Sequence, residues 1–232
     1  MAIDGPSGSG KSTVARAVAR RLEIRYLDTG AMYRAVTWHA LESRTDLDDP
    51  VALSEIGVGV SVEISTDPAD FWVRVEGRDA TGPIRSRPVT NAVSVVSAVP
   101  AVRTRLLRLQ RELIGAGGIV VEGRDIGTVV APDAHVKVFL TASSSARASR
   151  RSRELDEPAE SGAAAEAAMT QTRAEIDRRD RLDSARATAP LVKAADAVEL
   201  DSTSMSADEV VDEVLRMYNE VTGPLRLPVL GR

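Results

Sequence analysis

The residues with the most obvious chemistry stand near the start of the chain. Gly5-Pro6-Ser7-Gly8-Ser9-Gly10-Lys11-Ser12 fits the spacing of a phosphate-binding loop, glycine, four residues, then Gly-Lys-Ser/Thr. Gly5 and Gly10 can reach backbone angles that a Cβ forbids. Successive N–H groups can then turn inward around a phosphate, whose charge also meets the positive end of the next helix. In such a loop Lys11 reaches the β- and γ-phosphates of a nucleoside triphosphate and the Ser12 hydroxyl ligates Mg²⁺.

The loop must lie between a strand and a helix. Downstream, Val14, Ala15, Val18, Ala19 and Leu22 form the stripe of a helix buried on one side. Upstream stand only Met1-Ala2-Ile3-Asp4, short for a full strand, which predicts that a few native residues are missing there. Ile24 to Leu27 predicts a second strand, with Asp28-Thr29-Gly30 in a loop at its end and a helix using Tyr33, Val36, Thr37, Ala40 and Leu41. This is the opening of a parallel α/β sheet, whose ligands gather at the carboxyl ends of the strands.

A change of pattern follows. Asp49-Pro50 caps a short helix, and Val58, Val60, Val62 and Ile64 then alternate with polar or small residues as in a strand wet on one face. After a turn at 66–70, Phe71, Val73 and Val75 repeat that alternation, and Asp79 to Arg87 adds a third strand. A small antiparallel sheet is therefore inserted into the α/β domain. Helices are expected near Val89–Ala98 and Val102–Ile114, separated by Pro100. Gly118 to Glu122 and Val136 to Leu140 return to buried strands, and a helix runs from Ser143 to Arg153. Glu154 to Ala165 reads as a mobile loop, followed by a helix over Arg173–Arg181, a strand over Ala197–Leu200 and a closing helix marked by Val210, Val214 and Tyr218.

Composition narrows the function. No apolar run approaches the ~20 residues that span a bilayer, and no secretory leader is present, which points to a cytosolic protein. With no cysteine and only His39 and His135 as histidines, disulfides, thiol catalysis and Cys- or His-based metal sites are excluded. A net charge of −4 argues against sequence-independent nucleic-acid binding. Lys11, Lys137 and Lys193 are the only lysines among 30 basic residues, so an isolated arginine means little.

The acceptor must be sought outside the loop. Moving a phosphoryl group between two anions requires arginines to cancel their repulsion, and a guanidinium grips phosphate with paired hydrogen bonds. Arg34, Arg124 and the arginines of the run 178–186 suit that task, although the run also fits a solvated helical hairpin of paired charges. An Arg124-Asp125 pair at the end of the strand Ile119-Val120-Val121 is not needed for folding and faces the ligand crevice. Asp4 and Asp125 are candidate second-layer groups near Mg²⁺, and no direct carboxylate ligand can be picked out.

Four segments, in order, resemble the bacterial cytidylate kinases: Asp-Gly-Pro-Ser-Gly-Ser-Gly-Lys-Ser-Thr at 4–13, Leu-Asp-Thr-Gly-Ala-Met-Tyr-Arg at 27–34, Glu-Gly-Arg-Asp-Ile-Gly-Thr-Val-Val at 122–130, and Arg-Asp-Arg-Leu-Asp-Ser-Ala-Arg-Ala-Thr-Ala-Pro-Leu at 179–191. The resemblance implies a P-loop kinase core at 1–34 and 116–232 with a parallel sheet flanked by helices. It also implies a nucleoside-monophosphate-binding region at 35–115 with the small antiparallel sheet, and a short helical lid at about 150–168.

It further implies ATP held by Gly5, Pro6, Ser7, Gly8, Ser9, Gly10, Lys11, Ser12 and Thr13, with Mg²⁺ on Ser12, and Lys11, Arg147 and Arg151 at the transferred phosphoryl group. By the same resemblance the acceptor phosphate is held by Arg34, Arg124 and Arg186, cytosine is read by Ser94, Arg103 and Asp125, and the sugar is held by Arg179 and Asp183. Thr29 stands where the family carries a small hydroxyl residue. The implied reaction is ATP-dependent phosphorylation of CMP and dCMP by a cytoplasmic monomer with no nucleic-acid or membrane partner. A kinase for UMP or a hydroxyl metabolite, and a P-loop switch that transfers no phosphate, are the rival expectations.

Overall fold

The computed structural model describes residues 1–154, 163–186 and 188–223. The expected lid loop falls largely at 155–162 and the C-terminal tail at 224–232, outside the described residues. In chain order the first elements are β1 (Ala2–Asp4), α1 (Lys11–Arg21), β2 (Arg25–Asp28), α2 (Thr29–Glu42), α3 (Pro50–Gly59), β3 (Val62–Ile64), β4 (Val73–Val75) and β5 (Arg78–Asp79). Then come α4 (Arg87–Val96), α5 (Pro100–Ile114), β6 (Ile119–Gly123), β7 (Lys137–Thr141), α6 (Ser144–Glu154), α7 (Ala163–Ser184), β8 (Val198–Asp201) and α8 (Ala207–Thr222).

Five strands form one sheet in the order β2-β6-β1-β7-β8, every neighbour parallel. Successive side chains of a strand leave on opposite faces. Ala2, Leu27 and Val121 accordingly enter one hydrophobic cluster with α2, α4, α5 and the small sheet, while Ile3, Tyr26 and Val120 enter another with α1 and α8. β1 has only three residues, all buried, and its brevity is compensated by partners on both edges. The small sheet β3-β4-β5 is antiparallel, with Val62, Ile64, Val73 and Val75 turned onto α2. No helix among the described residues is long and apolar enough to cross a membrane.

Several elements differ from the sequence expectation. No loop separates β2 from α2, because Asp28 ends the strand and also caps the helix, accepting from Ala31 N at 2.7 Å. The alternation at 58–64 is half helix. Asp49 accepts from Val51 N at 2.8 Å, Pro50 pre-sets the first turn, and the helix runs to Gly59, leaving Val58 exposed at its end. β5 stops at Asp79, whose carboxylate accepts from Thr81 N at 2.9 Å and turns the chain into a 3₁₀ turn over Pro83–Arg85. Pro100 opens α5 as its first residue, and α7 begins ten residues before the expected Arg173. That early segment, rich in alanine, has high helix propensity and needs no apolar stripe to be helical.

Candidate functional site

The loop after β1 is shaped by backbone crowding. A Cβ at Gly5, where φ is 150°, would lie 2.1 Å from the carbonyl oxygen of Leu140, and one at Gly8, φ 73°, would lie 2.7 Å from that of Arg147. Both positions therefore require glycine. Lys11, the first residue of α1, folds back over the loop and donates from Nζ to Pro6 O at 2.7 Å. Burial first, and the nearby Arg124 guanidinium second, push its pKa down to about 7. Beneath the loop, Asp4 accepts from Ile126 N at 2.8 Å and Gly127 N at 2.7 Å, fixing the turn after β6. Its burial raises the carboxyl to about 6.

A single cleft of about 660 Å³ joins this loop to the acceptor-side residues. Thr29, Arg34, Arg103, Arg124, Asp125, Arg151, Arg179, Asp183 and Arg186 line it together with Gly8, Gly10, Lys11, Ser12 and Thr13. These arginines come from α2, α5, α6, α7 and the turn after β6. Arg34 projects from α2 and is held by Asp28 at 2.8 Å. Arg124, just after β6, reaches Asp183 at 3.0 Å and the Gly5 carbonyl at 2.6 Å. Arg186, near the end of α7, pairs with Asp183 and donates to Ser97 Oγ at 2.9 Å. Arg179 is the least compensated, since its Nε is buried without a partner and burial, with Arg124 next, pulls its pKa down to about 9. Buried Nε groups of Arg34 and Arg186 are likewise unpartnered. A cleft whose lining cations outnumber its carboxylates is suited to a multiply charged anion.

One wall is a buried ion pair between Arg103 of α5 and Asp125, with the Arg103 guanidinium 5.4 Å above the Tyr33 ring and donating to Ser97 O at 3.2 Å. Thr29 donates to Glu122 O at 2.7 Å, and a Cβ at Gly123 would meet its hydroxyl at 2.6 Å.

Five expected residues stand apart from the cleft lining: Gly5, Pro6 and Ser9 of the loop, Ser94 and Arg147. Ser94 donates to Asp183 at 3.3 Å and lines a small adjoining cavity. Arg147 lies under the loop, donating to Ser7 O at 3.0 Å and pairing with Asp180.

Sequence reasoning missed Glu122 and Asp180. Glu122 is buried at the end of β6, the strand beside β1, accepts from Tyr26 OH at 2.7 Å, and lines the cleft with Lys11 and Ser12. Burial and then the Asp28 carboxylate raise its pKa, while Lys11 and the hydroxyls of Ser12 and Tyr26 oppose the rise. The available signal was one charged residue inside an otherwise apolar strand, but only the strand order places it beside the loop. Asp180 lay in the run 178–186, where six of nine residues are charged.

A phosphate loop at the end of the central strand of a parallel sheet, facing an arginine-lined cleft, defines a P-loop phosphotransferase fold. Residues 1–220 match the family described as cytidylate kinase. A cytidylate kinase of Rhodococcus jostii is 51% identical over 224 residues, covering 96% of each chain. One of Geobacillus kaustophilus is 48% identical over 223 residues, covering 96% of this chain and 97% of its own. Among solved structures, an uncharacterized protein from Eubacterium ventriosum has a TM-score of 0.50 at 11% identity, over 94% of this chain and 97% of that one, a likeness of fold alone. The chain belongs to the cytidylate kinase family.

Proposed function

We propose that the chain transfers the γ-phosphoryl group of ATP to CMP and dCMP, giving ADP with CDP or dCDP. The observation that carries this reading is the convergence of Arg34, Arg124, Arg179 and Arg186 on one cleft with Lys11 at its donor end. An acceptor phosphate oxygen attacks the γ-phosphorus as the bond to the β–γ bridging oxygen breaks, and that oxygen keeps the electron pair in ADP. A phosphate monoester is already nucleophilic at neutral pH, so no general base is required, and the protein contributes position and charge.

Gly5 to Thr13 hold the triphosphate in this reading, Arg34, Arg124 and Arg186 hold the acceptor phosphate, and Arg179 with Asp183 hold the sugar. Asp125 accepts from the cytosine amine and Arg103 donates to the ring acceptors, a pairing that uracil cannot match at the carboxylate. Ser94 acts through Asp183. Arg151, which donates to Thr90 Oγ1 at 3.0 Å, contributes from the lid side, and Arg147 steadies the donor loop through Ser7 O. Residues 35–115 form the acceptor-binding region.

The oxygen-only pair of the Ser12 hydroxyl and the Glu122 carboxylate fits a hard cation, and these two residues would hold Mg²⁺. The ion, when bound, neutralises charge on the phosphate oxygens. Lys11 and the arginines neutralise the remainder, and closure over the cleft excludes water.

The test is ADP release with ATP, Mg²⁺ and a panel of CMP, dCMP, UMP, AMP and shikimate, for the wild type and Asp125→Ala. CMP and dCMP should lead, and the variant should lose their advantage over UMP. A wild type stimulated by none of them sinks the kinase reading in favour of a nucleotide switch.

A further inference from the structure

Helix α7 carries two carboxylates three residues apart, Asp180 and Asp183, a spacing that puts both on one helical face. Each holds an arginine that also grips the donor loop. Asp183 takes Arg124, whose Nη1 donates to Gly5 O at 2.6 Å. Asp180 takes Arg147, whose Nη1 donates to Ser7 O at 3.0 Å, and Asp180 itself accepts from Ser7 N at 3.0 Å. The loop is thus bracketed on either side of Pro6, whose carbonyl receives Lys11 at 2.7 Å. Arg179 and Asp183, both lining the cleft, sit beside and one turn beyond Asp180 on the same rigid helix.

From this geometry we infer that Asp180 is a positioning residue that couples the donor loop to the acceptor cleft, so that each nucleotide tightens the binding of the other. The inference rests on the kinase reading above. Two arrangements of the loop differ in what Asp180 feels. In the one seen, Lys11 is anchored on Pro6 O. With a triphosphate bound, Lys11 leaves that carbonyl for phosphate, the Gly5–Ser7 segment relaxes, and the shift passes through the Ser7 N–H and Arg147 to Asp180. Asp180 then moves α7, and with it Arg179 and Asp183. A ligand shifts an equilibrium only through such differential contacts, and the resulting coupling is reciprocal. Asp177 is the internal control, because it approaches the same Arg147 at 3.5 Å yet, among the described residues, no hydrogen bond or ion pair joins it to the loop.

The experiment is calorimetric titration of CMP into the protein with and without a non-hydrolysable ATP analogue and Mg²⁺. The wild type and Asp177→Asn should show CMP binding tightened about fivefold or more by the analogue. In Asp180→Asn that factor should fall below about twofold, while the dissociation constant of each ligand alone stays within about threefold of wild type. Arg147→Lys, which keeps the charge but cannot span Asp180 and Ser7 O together, should lose the coupling too, and serves if Asp180→Asn does not fold. Retained tightening in both variants overturns the inference, as does parallel weakening of both ligands with a lowered melting temperature, the mark of a merely structural residue. A wild type that binds CMP without tightening overturns this inference alone. One that binds no CMP overturns the kinase reading as well.

Discussion

The donor loop and the acceptor cleft bind the same kind of group by opposite means. The loop is eight consecutive residues, and its working parts are backbone N–H groups exposed by glycines that a Cβ would jam against Leu140 and Arg147. The cleft is made of side chains from α2, α5, α6, α7 and the turn after β6, and its charge is held by ion pairs between residues as far apart as Arg124 and Asp183. A site of contiguous backbone is rigid and general, recognising phosphate wherever it occurs. A site of converging side chains is specific and costly, because buried guanidinia repel one another until the anion arrives.

The sharpest way to break the contrast is at Gly5. Gly5→Ala places a Cβ 2.1 Å from the Leu140 oxygen and should abolish ATP binding in calorimetry and lower the melting temperature. Normal ATP affinity in that variant would remove the crowding account of the loop.

On the acceptor side the expected effect is smaller and of two signs. Arg179→Gln should raise the CMP KM about 10- to 100-fold, the weight of one charge-assisted hydrogen bond to the ligand. It should also raise the melting temperature of the unliganded protein, because a buried and under-compensated cation has gone. A variant that loses both CMP affinity and thermal stability would show that Arg179 supports the fold rather than the ligand.

Lys11 tests the donor side by pH. Its pKa of about 7 in the free protein is lowered by burial, and a bound phosphate raises it again. At pH 8 roughly nine in ten of these side chains are neutral before binding and charged afterwards, so ADP binding should take up close to one proton. The affinity for ADP should correspondingly weaken as pH climbs from about 7 toward the bound-state pKa. Titrations in two buffers of different ionisation enthalpy read the uptake, and zero uptake at pH 8 contradicts the depressed value.

The smallest effect belongs to ion pairs outside both sites. Arg216 on α8 pairs with Glu213 and Glu220, yet its side chain is 53% exposed. Arg216→Ala should change stability by less than about 1 kcal/mol in denaturant unfolding. The cleft pairs earn their place by charge held away from water, which this pair lacks.

Sequence pattern alone located β2, β6, β7, α1, α5 and α8 to within a few residues, since the helices carry an apolar stripe that repeats at 3.6 and the strands are short, nearly continuous apolar runs. The failures cluster where a local side chain outvotes the pattern. Asp28 caps a helix through residues that looked like loop, the helix that Asp49 was expected to cap runs on to Gly59 through residues that looked like strand, and Asp79 turns a chain that looked extended.

The donor loop was determined by sequence, because its chemistry is local and its spacing is set by one turn of backbone. The parallel sheet was likewise fixed in kind by alternating apolar strands and helices. Strand order, which puts β6 beside β1 and so Glu122 beside Ser12 and Lys11, belongs to the tertiary structure. So does the choice of partner for each arginine: in a run crowded with charges of both signs, spacing cannot say that Asp180 meets the Ser7 amide 173 residues away while Asp183 meets Arg124. Those pairings depend on which face of α7 is buried, and burial is a property of the whole fold.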